Sequence, residues 1–213
     1  MKPRLYCFPE SGNAYKAALT MQLAGYDYDP VFVDFFGGGT RAPAFLALNP
    51  MGEVPLLVEG TRHLSQSGAI QVHVAERTRR FLGDTPEDRD EVLRWLFWDN
   101  HKMSAQAGSL RFLMNFAPAD RRPAEVIGWM TGRLRLALKT LNAHLETRDW
   151  IVGTGPTLAD FACCSYLYYP EPFTFARPDW PAIDRWLTRI AALPGWRPPY
   201  DLIPGPRFAP AAP

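Results

Sequence analysis

A chain of 213 residues, 47% hydrophobic and 21% charged, is long enough to bury a core without a metal or disulfide staple. That composition excludes extensive disorder and a collagen-like or low-complexity chain, even with 21 prolines. Lys and Arg number 23 against 22 Asp and Glu, a net charge of +1, so nothing points to nucleic acid or to an anionic membrane surface as a partner. The three cysteines, Cys7, Cys163 and Cys164, cannot build a disulfide framework, which fits a reducing compartment. There is no apolar run of membrane-spanning length, and no apolar stretch follows the charges of the first residues. A cytoplasmic protein is expected.

Taken in order, residues 4–8 are short, aromatic-rich and stopped by Pro9, the pattern of a buried strand. Ser11 then precedes Ala14, Ala17, Ala18, Met21 and Ala24 at helical spacing, closed by Gly25. A second strand is expected over 31–35, ended by Gly37, Gly38 and Gly39, and a short helix over 43–48, ended by Asn49 and Pro50. Residues 54–58 and 63–65 read as two strands joined at Glu59–Gly60, and 67–77 as a helix with Ala69, Ile70 and Val74 inward. The order β-α-β-α-β-β-α describes a parallel unit followed by a hairpin.

The character changes after a linker at 81–88. Residues 88–116 carry Val92, Leu96, Met103, Leu110 and Leu113 at helical period. Pro123 opens another run through Ile127, Leu134, Leu138, Leu141 and Leu145. Further helices are expected over 157–168 and 182–193, and an extended, proline-rich tail over 200–213. Two domains follow, an α/β domain over 1–80 and an all-helical one over 89–213.

Four local features bear on chemistry. Ser11-Gly12-Asn13 sits where the first strand hands over to the first helix; Ser11 or Asn13 can cap that helix, and its free N–H groups favour an anion. Glu53-Val54-Pro55 places a proline at the head of a strand. A cis bond there would turn the Val54 amide and carbonyl toward a cleft, able to pair with an extended peptide, whereas an ordinary edge proline is trans. Gln66-Ser67-Gly68 is a strand end flowing into a helix. Ser67 can cap it, and Gln66 offers a donor and an acceptor for an amino-acid head group. Thr157 and Asp160 have capping-box spacing and read as structural.

These features, with Phe45 to Pro55, Gly155 to Asp160 and Ala192-Leu193-Pro194-Gly195-Trp196 in the same order, resemble the cytosolic glutathione transferases over nearly the whole chain. The Ser-Gly-Asn start and Trp95-Leu96-Phe97-Trp98 are similar to bacterial members near the Nu class, some of which reduce disulfides with glutathione. The resemblance implies an α/β thioredoxin-like N-terminal domain and an all-α C-terminal domain that forms an acceptor pocket. It implies glutathione as co-substrate, a small electrophile or a disulfide as the other substrate, a homodimer and a role in detoxification. Carried over by position, Ser11 points its hydroxyl at the sulfur with Asn13 as helper or replacement. Val54 before Pro55 pairs with the cysteinyl backbone, and Gln66 and Ser67 hold the γ-glutamyl head; Asp99 is a looser match for its amine. Two departures stand out. Glu53 lies where a basic or amide side chain often meets the glycine carboxylate, and it would repel that group unless it turns away or Arg41 compensates. No tyrosine occupies the thiol-activating place used by several animal classes. Disulfide reduction and non-catalytic binding are the alternatives to transfer.

Overall fold

In the computed structural model, which describes residues 2–209, the chain divides into two compact units. One comprises Met1–Arg80 with Pro194–Phe208, the other Phe81–Leu193.

The first unit is built on a four-stranded sheet in the order β2-β1-β3-β4, with β1 at Arg4–Cys7, β2 at Asp29–Phe32, β3 at Leu56–Glu59 and β4 at Arg62–Ser65. β1 and β2 are parallel, joined through α1 (Gly12–Ala24), and β3 runs antiparallel to both β1 and β4. Side-chain alternation divides the core. Tyr6, Leu56 and Val58 face a cluster with Val33 and with Phe45 of α2 (Pro43–Leu48), while Leu5, Cys7 and Leu57 are buried on the other face. α1 lines itself with alanines because it packs closely against α3 (Ser67–Thr78).

The expected β-α-β-α-β-β-α order is present, with shifted edges. β2 begins at Asp29, two residues before the expected start, and ends at Phe32 instead of Phe35. Pro30 is tolerated because β2 is an edge strand. β3 starts only at Leu56, after a cis Val54–Pro55 bond, so residues 54 and 55 lie outside the ladder.

The second unit is helical. α4 (Pro86–Trp98) and α5 (Ala105–Asn115) are not one plain helix, as the periodicity over 88–116 predicts; a π turn at Asp99–Ser104 joins them. α6 spans Ala124–Leu145, with Pro123 at its cap as expected. The run expected over 157–168 resolves into α7 (Leu158–Cys163) and a 3-10 turn at Ser165–Tyr168, and α8 is Pro181–Ala191.

Asp160, fully buried, anchors this unit. Its carboxylate accepts hydrogen bonds from the Thr157 amide at 2.8 Å and hydroxyl at 3.0 Å, from the Ile151 amide at 2.9 Å and from the Trp186 indole at 2.8 Å. The Thr157–Asp160 pair therefore acts as its spacing predicts, closing the helix start on itself and on α8.

The extended tail expected from residue 200 is instead helical at its start, as α9 (Pro199–Leu202), with proline at the first helical position. α9 packs on α1, where the Tyr15 hydroxyl donates to the Arg197 carbonyl at 2.8 Å. The end of the expected tail, 210–213, lies outside the described residues.

Candidate functional site

Strand register brings the candidate residues to one edge of the sheet. Tyr6 pairs with Leu56, and Leu56 with Ser65, so these three form one row across β1, β3 and β4. β1 leaves the sheet at that edge toward Ser11, β3 enters it from Val54, and β4 leaves it toward Ser67. Candidate residues from three separate stretches of sequence thus share one lip of the first unit.

Ser11 is the cap of α1: its Oγ accepts the Ala14 amide hydrogen at 3.1 Å, and the residue is buried. A hydroxyl that accepts in this way keeps its own proton for donation. Asn13 is the second residue of the helix, not its cap, and its Oδ1 is buried without a hydrogen-bond partner among the described residues. Neither Asp nor Glu occupies the first turn of α1, so the positive end of the helix is not neutralised from within.

Val54 precedes β3 and stands outside its ladder, leaving its main chain unused by the sheet. At the start of α3 the expectation needs correction. Ser67 is not the cap but the first helical residue; Gln66 holds the cap position in a left-handed conformation (φ 71°), with no side-chain cap bond. The extended residue that ends β4 must turn sharply to start the helix, and Gln66 makes that turn. Ser67 thereby presents both its hydroxyl and one of the unpaired N–H groups of the helix start.

The turn before Val54 is rigid. Asn49, buried, donates from Nδ2 to the Glu53 carbonyl at 2.8 Å, accepts from Met51 N at 3.2 Å, and its carbonyl accepts from Gly52 N at 3.0 Å. Gly52 adopts φ +63°, and a Cβ there would stand 2.6 Å from Nη1 of Arg41. The positive φ is what favours glycine, since the Arg41 tip could move aside. The exposed Glu53 carboxylate accepts a hydrogen bond from Gln66 Nε2 at 3.3 Å.

Other candidates fall away. Burial pushes the Cys7 thiol up to about 12, so it is not a nucleophile, and Cys163 and Cys164 are also buried. Asp99, the looser match, is buried within the π turn and accepts from the Ser104 hydroxyl at 2.9 Å. No group of three metal-ligating side chains occurs among the described residues, and none of their helices is long and apolar enough to cross a membrane.

Sequence reading missed an aromatic nest directly after β1. Phe8 stacks on Phe35 (4.6 Å between centroids) and Phe36 on Phe208 (4.0 Å), with the Phe208 amide donating to the buried Glu10 carboxylate at 2.7 Å. The Phe35-Phe36 pair was a visible signal; the return of Phe208 from 172 positions away was not.

Comparisons with known proteins bear on the family and the fold. Residues 1–76 match the model of the glutathione S-transferase N-terminal domain, and residues 116–194 that of the C-terminal domain. The chain is 30% identical over 197 residues to the disulfide-bond oxidoreductase YfcG of Escherichia coli K12, which covers 88% of this chain and 89% of that protein. It is 32% identical over 202 residues to a maleylacetoacetate isomerase of Pseudomonas aeruginosa, with 91% and 93% covered. A solved glutathione S-transferase structure from Xanthobacter autotrophicus Py2 superposes with a TM-score of 0.81 at 35% identity, covering 93% of this chain and 98% of that one. With its two domain models matched in order and relatives aligned end to end, this chain belongs to the glutathione S-transferase family.

Proposed function

We propose that the chain is a glutathione transferase whose α1 start holds the thiol of glutathione as thiolate for attack on a small electrophile. The observation that carries this reading is the shared row Tyr6–Leu56–Ser65, which delivers Ser11, Val54 and Ser67 to one edge. Those groups suit the three parts of the tripeptide. Ser11 and the helix N-terminus suit an anionic sulfur, the Val54 main chain a cysteinyl backbone, and Gln66 with Ser67 a γ-glutamyl head.

Magnitudes assign the work within the site. A free thiol has a pKa near 8.5, and bringing its thiolate to dominance near neutrality takes about two units, or roughly 3 kcal/mol. A helix terminus contributes about 0.3–1 kcal/mol, too little alone. A hydrogen bond to a charged group adds about 1.5–3 kcal/mol. The Ser11 hydroxyl, whose proton the cap leaves free, is the donor in this reading, and the Asn13 amide assists.

A second reading is glutathione-dependent disulfide reduction. The name of the E. coli relative favours it, as does the burial of all three cysteines, which leaves the redox sulfur to glutathione itself. A glutathione thiolate then displaces one sulfur of the disulfide as a thiolate, and a second glutathione resolves the mixed disulfide as oxidised glutathione. The same reading includes a cytoplasmic protein active in detoxification and paired with a second copy of itself. Exposed Phe97 on α4 and Trp129 and Leu136 on α6 support such pairing.

Calorimetry with millimolar glutathione is the first test; no heat and no thermal shift end the proposal. Coupling of glutathione to a chlorodinitroarene, run beside reduction of a small symmetrical disulfide, then separates transfer from reduction. Binding with neither activity on a broad substrate panel leaves a non-catalytic binding protein.

A further inference from the structure

Two glutamates flank the β3–β4 hairpin in opposite states. Glu59, at one end of it, is saturated from within: the Tyr26 hydroxyl donates to it at 2.7 Å and His73 Nε2 at 2.9 Å, and Arg77 lies at 3.7 Å. Glu53, at the other end, is exposed, and no cation pairs with it among the described residues. Its one side-chain contact is the neutral amide of Gln66, 3.3 Å away.

Both partners are held in place from behind. The Glu53 carbonyl is tied to the buried Asn49, and the Gln66 carbonyl accepts the Ile70 amide at 3.0 Å inside α3. Their main chains are thus fixed, and the hydrogen bond to Gln66, the residue before α3, sets the carboxylate beside the N-terminus of that helix. An anion next to a bank of N–H donors is unfavourable for a ligand carrying only negative charge. It is complementary to a zwitterion, whose carboxylate takes the helix start while its ammonium takes the carboxylate.

We infer that Glu53 receives the α-ammonium of the γ-glutamyl residue of glutathione, with Gln66 bridging the two charged groups. This inference rests on the glutathione reading above and gives Glu53 a favourable role in place of a possible repulsion of the glycine carboxylate. It makes a free α-amine a requirement for tight binding. Arg41, lying over Gly52, is left as the positive group for the opposite, glycyl end.

The test is a four-way calorimetric cycle: wild type and Glu53→Gln, each titrated with glutathione and with N-acetylglutathione, whose amine carries no charge. Glu53→Gln preserves size and hydrogen bonding at an exposed position, and an unchanged Tm confirms that it folds. The expected result is that wild type loses about ten-fold in affinity, or more, on N-acetylation. Glu53→Gln should lose a similar factor for glutathione itself and discriminate little between the two ligands. Glutathione binding that is unchanged or tighter in Glu53→Gln overturns the ion pair while leaving the glutathione site standing. So does a penalty for N-acetylation that is equal in the two proteins. A wild type that takes up no glutathione overturns both readings together.

Discussion

The Ser11 hydroxyl accepts the amide hydrogen of Ala14 at 3.1 Å, so the residue proposed to steady a thiolate also caps the helix that carries it. The two roles separate by substitution. Ser11→Ala removes both, with a cap loss of about 1 kcal/mol, whereas Ser11→Gly keeps the cap to within a few tenths. Both variants should lose about ten- to a hundred-fold in kcat/KM, and the pH–rate profile should move to higher pH. Only the alanine variant should melt appreciably earlier. An unmoved pH–rate profile in both removes Ser11 from the chemistry.

In the helical unit, burial pushes the Asp160 carboxyl from 3.8 up to about 6. Between those values the folded protein binds more proton than the unfolded chain, so this residue's contribution to stability falls as pH rises through that window. Asp160→Asn should flatten that part of the stability profile. It should also cost at least about 3 kcal/mol at neutral pH, because an amide nitrogen replaces an acceptor facing buried donors. Thermal melts of both proteins from pH 4 to 7 test the two expectations together.

Glu59 has the opposite sign. The Tyr26 hydroxyl first, then His73 and Arg77, hold its carboxyl below the ordinary value of 4.5. Its contribution is complete above that value and is lost as pH falls through the lower folded value. Glu59→Gln should lower stability at neutral pH and weaken the acid dependence below about pH 4.5. Urea midpoints between pH 2.5 and 7 report it.

Arg111 is buried against Glu171, with Nη2 at 2.7 Å and Nε at 2.9 Å from the same carboxylate oxygen, and its guanidinium lies 3.8 Å from the Tyr169 ring centroid. Truncating Arg111 alone should destabilise by about 3–5 kcal/mol, since the largely buried Glu171 carboxylate loses its guanidinium partner. Replacing both partners, as in Arg111→Met with Glu171→Leu, should recover most of that loss. A double variant no more stable than Arg111→Ala would show that the guanidinium matters through its ring contacts instead.

Much of this molecule was legible in its residues, because the deciding interactions are local. Alternation, helical spacing and glycine or proline punctuation determined the strand and helix order, and oxygen-bearing residues before apolar runs marked the caps at Ser11 and Thr157. The start of β2 was missed because a proline is tolerated only in an edge strand, and edge position is not visible in a local window. The π turn between α4 and α5 keeps the apolar period nearly intact, so periodicity alone could not reveal it.

Tertiary structure alone decided which distant groups meet. The register that puts Tyr6, Leu56 and Ser65 in one row gathers three stretches into one lip. The left-handed turn at Gln66 moves Ser67 from cap to first helical residue, and Glu53 faces Gln66, a pairing that sequence did not suggest. The Phe208–Glu10 contact closes 198 positions of chain. Such meetings are set by backbone direction and packing summed over the whole unit, and no window of neighbouring residues contains that information.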